Sequence, residues 1–168
     1  MASETFVEHR VYGDAEGIAT YRKAIGERMA ALGQTDIDSY PDGSLIDVQE
    51  SSFSYPSKQG LNGREFEMAE QAARQAGVVT FVGVVDQDVS RGLARAYNAD
   101  EGEIASVEMP SDRFDAMYFN EDADTHMSDR SVIGEMWMDC SDALVHGVST
   151  WLELRESPDD APSCRPSF

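Results

Sequence analysis

The run Val78–Val85 (VVTFVGVV) constrains the fold more than any other stretch of the chain. Eight residues with no charge, rich in β-branched side chains and preceded by Gly77, form the pattern of a strand covered on both faces. A strand of that kind belongs to a sheet with helices on at least one face, which the rest of the chain must supply. It is also far short of the roughly 20 apolar residues that cross a bilayer.

The flanking segments supply that layer. Val7, His9 and Val11 alternate as in a strand that ends at Gly13. Asp14 stands where a helix N-cap belongs, Ile18, Tyr21, Ile25, Met29 and Leu32 follow at helical spacing, and Gly33 is placed to stop the helix. Residues 64–76 (REFEMAEQAARQA) carry a narrow apolar face, and residues 131–154 align Ile133, Met136, Trp137, Cys140, Leu144, Val148 and Trp151. Leu45–Val48 reads as a short strand, Asp88–Tyr97 as a third helix, and residues 103–109 and 114–119 as a hairpin around Pro110–Arg113. The expectation is one domain over residues 1–156, of α/β or α+β class. It has a mixed sheet of about five strands, parallel at its centre, three to four helices, and a Pro-rich tail over residues 157–168.

Charge bears on partners. The 168 residues contain 32 acidic against 13 basic side chains, a formal net charge of −19. Residues 1–99 hold 15 acids and 9 bases (−6), residues 100–168 hold 17 and 4 (−13), and 11 of the 13 bases are Arg. Such a surface disfavours direct contact with nucleic acid or an anionic membrane. Abundant carboxylates with two lysines, Lys23 and Lys58, fit a protein that stays hydrated in concentrated salt. Imitation of nucleic-acid phosphates by those carboxylates is the alternative. Cys140 and Cys164 lack the spacing of a disulfide framework or a metal site. No basic and apolar leader opens the segment, so the expected location is the cytoplasm or a particle assembled there.

Three places could carry chemistry. Asp86 and Asp88 follow the central apolar run, where open α/β sheets bind ligands, and two carboxylates there could hold Mg²⁺. The string VVDQDVS (residues 84–90) resembles the D-x-D-x-[TV] element of haloacid-dehalogenase-type phosphatases, which implies metal-assisted hydrolysis or transfer. That family also needs a downstream lysine, and both lysines here lie upstream. The other reading of the pair is a helix cap. The same region with Ala94–Tyr97 resembles thioredoxin-like folds, but the redox Cys-x-x-Cys is absent, with SYPS (residues 54–57) near its place. Asn120–Asp129 is dense in oxygen ligands. As a calcium loop it fails at Thr125, where glycine is needed, and at Ser131, where a bidentate Glu is needed, which leaves Asp122, Asp124 and His126 as a looser cation site. His9, His126 and His146 lie in no H-E-x-x-H motif, and neither phosphate-loop glycine pattern occurs.

The segment Ser51–Gly63 (SSFSYPSKQGLNG) has one full charge, Lys58, in a chain that is 27% charged. Phe53, Tyr55 and Leu61 within it suggest a recognition loop, with packing onto the core as the competing explanation. The functional expectation is a noncatalytic acidic subunit of a larger assembly, a virion or other particle, meeting other protein chains or identical copies at Phe53, Tyr55, Lys58 and Leu61 and needing no cofactor. A small enzyme at Asp86 and Asp88 and an acidic nucleic-acid mimic are the alternatives.

Overall fold

A computed structural model describes residues 5–58, 61, 63–118 and 128–156. The order is β1 (Thr5–Gly13), α1 (Ala15–Ala31), β2 (Asp38–Ser39), β3 (Gly43–Leu45), β4 (Val48–Ser57), α2 (Arg64–Ala76), β5 (Val79–Asp86), β6 (Arg91–Asn98), β7 (Gly102–Met109), α3 (Ser111–Tyr118) and α4 (Asp129–Glu156). The class is α+β. One sheet runs β2-β4-β1-β5-β6-β7, with β3 paired to β4.

Every pairing in that sheet is antiparallel, so the expected parallel centre is corrected. β1 lies between β4 and β5 and runs against both, with α2 carrying the chain from one flank to the other. The strands β5, β6 and β7 then follow by hairpins, which need no crossover helix. β5 is buried along its whole length, because α1 and α2 cover one face of the sheet and α4 the other.

Local signals explain the helices that the sequence announces. The Asp14 carboxylate accepts the Gly17 N–H at 2.7 Å, and α1 closes before Gly33, whose φ of +84° satisfies the left-handed position that glycine favours. Gly77, at φ +68°, ends α2 by donating its N–H to the Ala73 carbonyl at 2.8 Å.

Four local expectations are corrected. Asp88–Tyr97 is not a helix: a 3-10 turn at Gln87–Val89 leads directly into β6. Gly92, Ala94 and Ala96 are small at alternate positions so that α4 can come close, and a Cβ on Gly92 would stand 3.2 Å from the Met136 side chain. Residues 114–118 of the expected second hairpin strand are helical, since Pro110 precedes α3 and Phe114 donates its N–H to the Pro110 carbonyl at 2.9 Å. Leu45–Val48 is the tight turn of the β3–β4 hairpin, with Ile46 at φ +51° and Asp47 at φ +63° as a two-residue turn of this hand requires. Ser51–Ser57 is not a loop but the body of β4. The tail 157–168, Cys164 and residues 119–127 lie outside the described residues.

Candidate functional site

On the α1/α2 side, β1 and β4 alternate so that Val7, His9 and Val11 share a face with Phe53 and Tyr55. His9 stacks on Phe53 at 4.8 Å between centroids, with the rings nearly parallel. Its Nδ1 lies 2.7 Å from the Tyr21 hydroxyl and its Nε2 lies 2.7 Å from the Tyr55 hydroxyl. Tyr55 donates to Glu65 Oε1 at 2.8 Å, Ser57 donates to Glu65 Oε2 at 2.8 Å, and Thr80 donates to the Tyr21 oxygen at 3.1 Å.

Proton counting sets the direction of this chain. Tyr55 has one proton and gives it to Glu65, so it accepts from His9 Nε2–H, and Nδ1 then accepts from Tyr21. Burial holds His9 neutral by lowering its pKa from 6.5 to about 3, and burial also raises the phenols of Tyr21 and Tyr55. Each polar group is satisfied by another, and His9, Tyr21, Tyr55 and Glu65 are all sealed from solvent. The arrangement locks β1, β4, β5, α1 and α2 in one register.

This placement corrects the recognition-loop reading of Phe53 and Tyr55. Both side chains point into the core, and the sparse charge of their segment reflects burial. Leu61 packs half-buried against the same core. Lys58 is exposed beside a cleft of about 220 Å³ formed with Met29, Leu32, Gln34 and Ser57.

On the α4 side, the even positions of β1 present Phe6, Glu8, Arg10 and Tyr12. The Glu8 carboxylate is fully buried and bridges two guanidinium groups, accepting from Arg10 Nε at 2.7 Å and from Arg130 Nε at 2.9 Å. Arg130 lies 3.4 Å above the Tyr40 ring, and Arg10 sits 5.9 Å from the Phe81 ring and 5.5 Å from that of Trp137. Trp137 donates its indole N–H to the Tyr12 hydroxyl at 2.8 Å. Both arginines open onto a cleft of about 420 Å³ shared with Tyr40, Glu50, Ser52, Ser128 and Ser131. Glu8 and Arg10, two apart on one strand, were readable as a same-face pair. Arg130 is 122 residues away from Glu8, and no spacing signals it.

Asp86 and Asp88 do not form one acidic site. Asp86 is buried and caps the 3-10 turn by accepting the Asp88 N–H at 3.0 Å. Asp88 is exposed and faces a separate cleft of about 440 Å³ with Asp38 and Asp129, where Gln87 donates to Asp129 at 2.8 Å. That cleft stands at the end of β5 in an antiparallel sheet, not beyond parallel strands. Among the described residues, no group of three or more His, Cys, Asp or Glu could hold a metal ion. Asp122, Asp124 and His126 lie outside the described residues. His146 is exposed on α4, and Cys140 on the same helix is buried, its thiol pushed up to about 11 by that burial and by Asp139. Among the described residues, no helix is long and apolar enough to cross a membrane. No family model, curated protein sequence or solved structure matches the chain.

Proposed function

We propose that this chain is a noncatalytic subunit of a larger protein assembly, adapted to high salt, that meets identical copies through the outward face of α4. One observation carries the reading. Met138 is 62% exposed and Val145 39% exposed, and they stand seven residues apart on α4. Two side chains seven residues apart lie on one face of a helix, and both are turned to solvent where a second helix can cover them. Each such side chain contributes roughly 1.5–3 kcal/mol when covered. A net charge of −19 per copy opposes that contact, and salt removes the opposition because the screening length falls from about 10 Å at 0.1 M to about 3 Å at 1 M. Native mass by light scattering across a KCl series tests this. The expected mass rises above that of one chain as salt increases, and Met138→Ser with Val145→Ser returns it to the monomer. A single-chain mass at every salt concentration contradicts the reading.

A further inference from the structure

The arginine cleft on the α4 side is a second surface, with different chemistry. In each guanidinium, Nε is engaged by Glu8 and one face lies near an aromatic ring, so the group cannot turn freely. The terminal nitrogens of Arg10 and Arg130 have no acceptor among the described residues. These are the atoms that recognise an oxyanion in a bidentate manner. Arg10 is only 18% exposed, so its open edge costs more than that of a surface arginine.

Around those edges stand polar groups of matching kind. Ser128 begins α4: its carbonyl accepts the Val132 N–H at 3.2 Å and its hydroxyl accepts the Ser131 N–H at 3.1 Å. The positive end of a 28-residue helix therefore faces the same cleft, with the Ser128 and Ser131 hydroxyls beside it. Glu8 beneath and Glu50 at the margin offset both arginine charges. A phosphate dianion, with both charges on one centre, would meet two carboxylates, whereas a planar carboxylate presents a single charge to two guanidinium edges with little net repulsion.

We propose that this cleft binds a carboxylate group, held by the outer edges of Arg10 and Arg130 and by the start of α4. The group belongs either to a small carboxylic acid or to an Asp or Glu side chain of a second copy. The site stands apart from the α4 seam, and a protein found monomeric at all salt concentrations would remove the assembly reading and leave this one.

Nuclear magnetic resonance titration of the full chain tests it, adding potassium acetate, succinate or phosphate in place of KCl at constant ionic strength. Acetate and succinate are expected to cause saturable shifts at the Arg10 and Arg130 Nε–H signals and at the Ser131 amide, with phosphate at least tenfold weaker. Arg130→Gln should weaken acetate binding at least tenfold while Arg113→Gln leaves it unchanged. Shifts of the same signals on concentrating the protein alone would assign the carboxylate to a second copy, and their absence would assign it to a small molecule. The proposal is overturned by unsaturable shifts in the wild-type protein, by phosphate binding more tightly than acetate, or by equal acetate affinity in a folded Arg130→Gln variant.

Discussion

Beneath α1 and α2 the sheet carries a closed run of hydrogen bonds from Thr80 through Tyr21, His9 and Tyr55 to Glu65, while beneath α4 it carries Phe81, Val85, Ala94 and Ala96. Both faces are buried, yet different physics holds them. The first depends on every donor meeting its acceptor, so it tolerates one register only. The second depends on close approach: a Cβ on Gly83 would stand 2.9 Å from Ile133 Cγ2, and one on Gly147 would stand 2.6 Å from Ile104 Cδ1. Of the charged groups on the α4 side, Glu8 is fully buried, and Arg10 and Arg130, which cover it, open onto a cleft. The titratable groups of the α1/α2 network are thus sealed inside, whereas the two arginines of the α4 side reach solvent.

The comparison breaks most visibly at His9. His9→Ala removes the ring stacked on Phe53, takes one partner from the Tyr55 hydroxyl and leaves the Tyr21 hydroxyl proton without its acceptor in a dry space, so urea denaturation in high salt should show a loss of about 3–5 kcal/mol. The same residue gives the α1/α2 face a pH dependence. In the fold His9 titrates at about 3 and in the unfolded chain at its ordinary 6.5, so between those values the unfolded chain binds the extra proton. Its contribution is complete above pH 6.5 and is lost as pH falls toward 3, at about 1.4 kcal/mol per unit. A folded His9→Gln variant should lose that part of the slope, and an unchanged slope would show that His9 is not held neutral.

The α4 face should respond to bulk. Gly83→Ala forces Ile133, and with it the helix, outward at an expected cost of about 1–3 kcal/mol, read in the same denaturation assay. Wild-type stability in that variant would mean that α4 is loosely seated.

How far the sequence could be read follows the same division. α1, α2 and α4 were legible because their signals are local: the Asp14 cap, Gly33 and Gly77 as stops, and the Ile133-to-Trp151 stripe. β6 was misread because Val89, Leu93, Ala96 and Tyr97 happen to share helical spacing, whereas the alternation of Gly92, Ala94 and Ala96 answers to a helix packed against them from elsewhere in the chain. β4 was misread for a related reason, since uncharged residues mark burial as readily as recognition. Strand direction was beyond reach, because a crossover and a hairpin have similar local patterns. The buried network joins residues 9, 21, 55, 65 and 80, and the cleft joins residues 8, 10 and 130, so each exists only once the sheet has formed.

The central claim is that contacts form on the α4 side and that the α1/α2 side is internal support. Hydrogen–deuterium exchange compares the protein dilute in low salt with the protein concentrated in high salt, and reads each segment separately. The account predicts added protection over residues 138–152 of α4, with α1 and α2 unchanged. Added protection confined to α1 and α2, or none anywhere while the mass rises, would contradict it.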